Sequence, residues 1–479
     1  MNAGNPHEPV PPPGAEPGAP HGFEPALDDD DLWQSGRSLM ASERPLARLV
    51  ARPLREFLHI ESSSSVLLLL AAAAALLWAN SPWAGSYDAF WHAEITISAG
   101  PFHLGESLQH WVNDALMVIF FFVVGLEIKY EMVHGDLRDP KTAALPIIAA
   151  IGGMVVPAGL YLLLAGGGEG GGGWGIPMAT DIAFAVGVLG LLGRRIPSAA
   201  RLFLLTLAIV DDIGAILVIA VFYTADLSLE WLAVAGGLLL LMLAMRALRI
   251  WWITAYAVVG VLVWFATLES GVHATLAGVV IGLMTPARPL LREKVARTYV
   301  TRALADRHLN TDELSRLRFL LGESVPMVER LQAALHPLSA YLVLPVFALA
   351  NAGVDLRGGV LGEALGSAVA QGIVAGLVLG KPLGILLACF VAVRLGLGRL
   401  PDHTTWVMLT GLGAVAGIGF TVSLFIAGLS FPGAEDLTSD AKVGILAASL
   451  VAAVVGVLML RFGSPSPEPP NPHDPVDRA

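Results

Sequence analysis

Asp114, Asp181, the adjacent pair Asp211 and Asp212, and Lys381 all sit inside long apolar runs. A charged side chain at the centre of a membrane helix costs about 2.5 to 3.5 kcal/mol, so each needs a partner, a water-filled cavity or a function. Consecutive helical residues point about 100° apart, so Asp211 and Asp212 cannot both face the same partner. One can pair while the other faces a cavity. The natural partner is Lys381, the lone cation deep in its run, followed by Pro382, which lacks the N–H that would continue the helical ladder. A static Asp–Lys bridge would account for one acid but leave the other, and Asp181, without a counter-charge. The remainder points to ion binding. Carboxylates around a narrow cavity offer hard oxygen donors, which suit Na+ better than soft metals, and a proton and Na+ compete for the same oxygens. If two protons leave for each Na+, the cycle moves net charge, and membrane potential drives it by about 2.3 kcal/mol per charge per 100 mV. Lys381 is a further candidate proton carrier.

The elements that must position these groups include two interrupted spans. Asp181 lies in Gly175-Ile-Pro-Met-Ala-Thr-Asp-Ile-Ala-Phe-Ala, with a glycine run before it and Thr180 beside it. The pattern predicts a broken helix, whose unwound backbone and helix ends can bind ions at the bilayer midplane. Gly411-Leu-Gly-Ala-Val-Ala-Gly-Ile-Gly-Phe-Thr421 is the second interrupted span. Spans three to five and ten to twelve then form two three-helix units of inverted topology, each with its middle helix broken. For the glycines alone, close helix packing is the competing reading.

Around these motifs the chain is a membrane protein: of 479 residues 55% are apolar and 14% charged, with a mean hydropathy of +0.67, where soluble domains carry about 25% charged residues. Apolar runs near 62–80, 109–129, 144–165, 175–192, 199–223, 229–246, 250–268, 271–285, 328–351, 370–394, 404–430 and 439–461 predict twelve transmembrane helices in an all-α polytopic fold. Lys and Arg alternate with them, gathering at Arg44 to Arg55, Lys129 to Lys141, Arg194 to Arg201, Arg246 and Arg249, Arg288 to Arg297, Arg394 and Arg399, and Arg461. The opposite loops hold none, with Arg357 the main exception, so both termini are expected in the cytoplasm. Residues 1–55 and 463–479 read as Pro-rich cytoplasmic tails, the first disordered, and 56–462 as the membrane domain. The charged insert 285–326 reads as a solvated cytoplasmic connector in preference to a short surface helix. A weak alternation after His92, followed by Ala-Gly-Pro, suggests an external hairpin, expected to support a homodimer contact. The single cysteine, Cys389, offers no metal or disulfide framework, and the short basic clusters between apolar runs exclude a nucleic-acid partner.

Several motifs occur together and in order: Val112-Asn-Asp-Ala-Leu-Met with Phe120-Phe-Phe-Val-Val-Gly-Leu-Glu127, Ala179-Thr-Asp-Ile-Ala-Phe-Ala, Ala208-Ile-Val-Asp-Asp-Ile-Gly-Ala-Ile, Ser270-Gly-Val-His-Ala-Thr-Leu-Ala-Gly, Phe347-Ala-Leu-Ala-Asn-Ala-Gly, Gly380-Lys-Pro-Leu-Gly and Gly417-Ile-Gly-Phe-Thr. With these the chain resembles the NhaA-type sodium/proton antiporters over residues 56–462. The resemblance implies a bacterial inner-membrane transporter, not an enzyme, that needs no cofactor. It would export Na+ or Li+ against protons by electrogenic alternating access, with activation at alkaline pH, and so serve pH and sodium homeostasis. It implies Asp212 as ion ligand, Asp211 as partner of Lys381, Thr180 and Asp181 at the crossed broken helices, and Asp114 in the second-span acidic position. Glu127, Glu131, His336 and His273 match a pH-response region; Glu127, about 20 Å along its helix from Asp114, is expected near the cytoplasmic mouth. Gln332 and Ala333 stand where some relatives carry Glu and His, which predicts a shifted alkaline threshold. A solvated helix end is the competing reading for Glu127, Glu131 and His336, and a packed, hydrogen-bonded ring is favoured for His273. Among rival functions, an intramembrane aspartyl protease fails because adjacent acids cannot face each other from two helices. A Na+-coupled symporter or cation channel is the stronger alternative.

Overall fold

The computed structural model describes residues 63–463, apart from 100–101, 225–226, 249, 251–252, 290, 292–296, 301–309 and 358. The tail at 1–55, residues 464–479 and parts of the 285–326 insert lie outside the described residues. The chain begins with α1 (Ser63–Ala79) and α2 (Ala84–Trp91), bent by 115°. Strands β1 (Glu94–Ala99) and β2 (Phe102–Ser107) follow, then α3 (Leu108–Val133), α4 (Pro140–Ala165), a 3-10 segment (Glu169–Met178), α5 (Ile182–Leu192) and α6 (Ser198–Phe222). Next come α7 (Leu229–Ala247), α8 (Ile253–Glu269), α9 (Thr275–Met284), α10 (Thr311–Ser324) and α11 (Met327–Asn351). The last elements are α12 (Val360–Gly366), α13 (Ala368–Arg394), α14 (Trp406–Ala416), α15 (Phe420–Ser430) and α16 (Glu435–Gly463).

Among the described residues, seven helices are long and apolar enough to cross a membrane, and up to ten spans result if each bent pair is one. The expected runs at 250–268 and 271–285 form α8 and α9. At 1.5 Å per residue, the 10 residues of α9 reach about half the roughly 30 Å hydrocarbon core. Large aliphatic side chains on the outer faces are exposed, such as Leu163 on α4, Leu240 on α7 and Leu450 on α16. In a multi-pass membrane protein such faces meet lipid. Tyr161, Leu207, Phe347, Ile373 and Leu377 are fully buried in the main core.

Small residues let the spans that frame the broken helices approach closely. At the α4–α13 crossing, Gly152 and Gly384 face each other, and a Cβ on either would collide with the carbonyl oxygen of the other. Three spans widen locally into π-helical turns: Val112–Leu116 within α3, Ser339–Val343 within α11, and Ala375–Gly380 within α13, immediately before Lys381. Such turns loosen the helical ladder and often mark functional positions.

The hairpin suggested after His92 is present: β1 and β2 pair antiparallel, with Glu94 opposite Ser107 and Thr96 opposite Gly105. The insert departs from the solvated-connector reading over its second half, where α10 is an ordered helix. Leu317 is buried, the Leu291 N–H donates to the Glu323 carbonyl at 3.0 Å, and Arg330 pairs with the Glu323 carboxylate at 3.2 Å. Local charge composition does not register these long-range anchors. The exception in the loop-charge pattern also has a physical basis. Arg357 grips the Asp355 carboxylate through two bonds of 2.7 and 2.8 Å, which offset its charge, and this fork pulls the Asp355 carboxyl down to about 2.

Candidate ion-binding site

Two bent pairs meet in the interior. The 3-10 segment Glu169–Met178 and α5 are bent by 43° across Ala179-Thr180-Asp181, and α14 and α15 by 47° across Gly417-Ile418-Gly419. Interruption leaves helix ends whose N–H and carbonyl groups lack intrahelical partners, and a buried end must find them elsewhere. Pro177 and the glycines before it favour the tighter 3-10 turn and an early stop in the first pair. In the second, a Cβ on Gly417 would strike the Leu377 carbonyl, so the close approach to α13 requires glycine there.

Asp181 serves both incoming helix N-termini. Its Oδ1 accepts the N–H of Phe184 at 3.0 Å, capping α5, while Oδ2 accepts the N–H and hydroxyl of Thr421, at 3.0 and 2.6 Å, at the start of α15. Its own N–H donates to the Ile418 carbonyl at 2.7 Å, tying the two unwound segments together. One carboxylate therefore meets the positive ends of two helices. The carbonyl ends meet donors instead. Lys381 Nζ donates to the Met178 carbonyl, and the Thr180 hydroxyl lies 2.9 Å from the Ala416 carbonyl.

Lys381 and Asp211 form an ion pair at 2.8 Å, and both side chains are fully buried. The same oxygen, Asp211 Oδ2, lies 2.8 Å from the Thr180 hydroxyl, whose single proton is thus shared between Asp211 and Ala416. Asp212, one residue on along α6, is 5% exposed, and its Oδ1 has no hydrogen-bond partner among the described residues. It lies within electrostatic reach of Glu127, Asp211, Asp181 and Lys381. The crossing thus assembles Thr180, Asp181, Asp211, Asp212 and Lys381, with Glu127 near enough to act on them.

The remaining expected positions lie elsewhere. Asp114 is half-buried on the π-turn of α3, with His110, His273 and Glu106 as its titratable neighbours. The His273 ring donates through Nε2 to the Tyr223 carbonyl at 2.6 Å, in keeping with a packed, hydrogen-bonded ring. Glu131 acts at the far end of α3, where its Oε2 accepts the N–H of Asp136 at 3.0 Å. His336 is exposed on α11, with Gln332 half-buried and Ala333 exposed one turn before it.

The Thr421 side chain has no charge to mark it in the sequence, although it closes the second glycine-rich motif much as Thr180 and Asp181 close the first. An amide cluster that joins α3 to α11 is likewise unmarked by charge. Asn351 Nδ2 donates to Asn113 Oδ1 at 2.9 Å, and Gln109 Nε2 to Asn351 Oδ1 at 3.2 Å. Asn113 and Gln109 lie four residues apart on one helix face, a spacing that could have flagged them.

The family model described as Na+/H+ antiporter 1 matches residues 55–460. Similar proteins include a Na(+)/H(+) antiporter NhaA 3 of Frankia alni, 48% identical over 86% of this chain and 89% of its own length. A Na(+)/H(+) antiporter NhaA 2 of Sorangium cellulosum is 46% identical over 91% of this chain and 95% of its own. A Na(+)/H(+) antiporter NhaA of Rhodopirellula baltica is 48% identical over 87% of this chain and 95% of its own. With a match that runs from before α1 almost to the end of α16, and with paired acids, a buried lysine and two bent helix pairs inside it, the chain belongs to the Na+/H+ antiporter 1 family.

Proposed function

We propose that this protein exchanges Na+ or Li+ for protons across a bacterial inner membrane, with Asp212 as the principal ion ligand. The observation that carries the reading is the nearly fully buried Asp212, whose Oδ1 has no partner and lies beside an Asp211 that Lys381 holds through Oδ2 while its Oδ1 is also left without a donor. A buried carboxylate oxygen without a donor is costly unless a proton or a cation occupies it for part of the cycle. Family membership and the curated relatives named as Na+/H+ antiporters support the same conclusion.

In this reading Na+ and protons compete for the Asp211–Asp212 oxygens. Lys381 holds Asp211 when the cation is absent. When a cation draws on both acids, Lys381 is released from Asp211 and either gives up its own proton or keeps it on the Met178 carbonyl, to which it already donates. Two protons exchanged for one Na+ make the cycle electrogenic. Alternating access follows from rocking two inverted three-helix units, α4 to α6 and α13 to α16, about the crossing. Twelve spans then count α1, α8 and α9 together with the two broken pairs, and both termini face the cytoplasm. Glu127 and Glu131, with His336 on the same side, are the proposed alkaline-pH response. The external hairpin is the proposed homodimer contact.

The test is exchange in everted vesicles. Added Na+ or Li+ dissipates a preformed pH gradient, faster at alkaline pH, and Asp212→Asn abolishes the response. Undiminished exchange in that variant defeats the site assignment. Na+ current through the purified protein without coupled proton flux defeats antiport and favours a channel.

A further inference from the structure

A polar cavity of about 330 Å³ opens where the hairpin and the start of α3 meet the end of α8. Its lining includes Glu106, His110, Trp111, Asp114, Trp264 and Glu269. The volume lies in the range of sites that hold small organic ligands, and one water takes up only about 30 Å³ of it. Glu106 and Glu269 are exposed at its rim, and Asp114 is half-buried. Among the described residues no three His, Cys, Asp or Glu side chains converge in a way that could hold a metal ion. The acids therefore surround a volume and do not chelate a point.

The indoles give that volume a chemical character. Trp111 donates its Nε1–H to the Ile95 carbonyl on β1 at 3.2 Å, and Trp264 donates its own to the Asp114 carbonyl at 2.7 Å. Both ring N–H groups are thus spent on backbone, which fixes the ring planes. The ring centroids stand 6.4 Å apart with a 37° tilt. Indole faces attract cations through the ring quadrupole, most strongly cations whose charge is diffuse and weakly hydrated. Two fixed indoles within a ring of carboxylates therefore favour an organic ammonium ion over Na+, whose tight hydration the cavity's scattered oxygens do not replace.

We propose that this cavity is a binding site for an organic ammonium cation, held by cation–π contact with Trp111 and Trp264 and by the field of Glu106, Asp114 and Glu269. The site is separate from Asp212, so its failure leaves the antiport reading intact, and the failure of antiport leaves this site testable by binding alone.

The probe is choline, compared with its neutral isostere 3,3-dimethylbutan-1-ol, titrated into the purified full-length protein with tryptophan fluorescence and calorimetry as readouts. Choline is expected to bind saturably and the alcohol at least about tenfold more weakly. The Glu106→Gln/Glu269→Gln variant and the Trp111→Leu variant should each weaken choline about tenfold, while Asp212→Asn leaves it unchanged. Because rim carboxylates are exposed, the double Gln variant is expected to fold, and its antiport rate serves as the check. Equal binding of choline and the alcohol overturns the proposal. So does choline binding that survives the rim variants but disappears in Asp212→Asn, which would place the cation at the crossing instead.

Discussion

The crossing and the cavity around Asp114 both hold carboxylates on membrane-spanning helices, yet the acids meet opposite surroundings. Asp181 accepts three hydrogen bonds, and Asp211 accepts from Lys381 and Thr180. Asp114 is half-buried beside an open cavity, and its backbone carbonyl is already taken by Trp264. The host segments differ in continuity. α3 stays helical through its π-turn, and the Asp114 carbonyl there accepts from the Trp264 indole, so its backbone offers little to a side-chain charge. At the crossing, two interrupted helices expose N–H and carbonyl groups that must be satisfied, and these become the partners that hold buried charge in place. Asp211 Oδ1 and Asp212 Oδ1 are both without a hydrogen-bond partner among the described residues, and Asp212 stands apart because Lys381 and Thr180 bond its neighbour's other oxygen and not its own carboxylate.

Substitutions can break or sharpen this contrast. The largest effect is expected for Asp212→Asn, with Na+-driven proton movement in everted vesicles falling to the level of protein-free vesicles while the protein still elutes as a folded species. Next is Lys381→Ala, which leaves Asp211 buried without its counter-charge and is expected to cost about 3 to 5 kcal/mol, read as a drop in thermal midpoint. Adding Asp211→Asn to it should recover part of that loss. Gly417→Ala forces a methyl against the Leu377 carbonyl and should cost about 1 to 3 kcal/mol, read by the same melt, whereas alanine at Gly428, where a Cβ meets nothing, should be silent. Thr421→Val removes one donor from Asp181, at about 1 to 2 kcal/mol. Thr421→Ser should restore both stability and exchange, since the hydroxyl and the N–H remain. Asp114→Asn is expected to have the smallest effect, slowing exchange by a few-fold in the vesicle assay. If Asp114→Asn abolished exchange as completely as Asp212→Asn, the distinction between the two regions would fall.

Much of the site was legible because charge inside apolar runs is rare and costly. Asp181, Asp211, Asp212 and Lys381 could be named from residue type and setting, and the Asp–Lys pairing from the 100° offset of adjacent acids. The bend at Thr180-Asp181 was legible from Pro177 and the glycine run, and that at Gly417-Ile-Gly from its glycines. Other features escaped because they are made by backbone or by distant chain segments. The carbonyls of Met178, Ala416 and Ile418 have no residue signature, and the Thr421 hydroxyl matters only because Asp181 lies beside it. The helix reading of the insert was ranked below the solvated connector for a similar reason, since the anchors of α10, Leu291 and Arg330, lie outside it in sequence.

By itself the sequence determined that the chain lives in a membrane, roughly where its spans run, and which few side chains carry charge within them. Transfer free energy depends on local composition, so a linear reading can weigh it. The choice of Asp211 as partner of Lys381 came from the family resemblance and not from residue type, and only the tertiary structure decided that Asp181 caps two helices at once and that Asp114 lines a cavity of its own. Those outcomes depend on which interrupted helix ends meet, and ends more than 200 residues apart, such as Asp181 and Thr421, are brought together by packing alone.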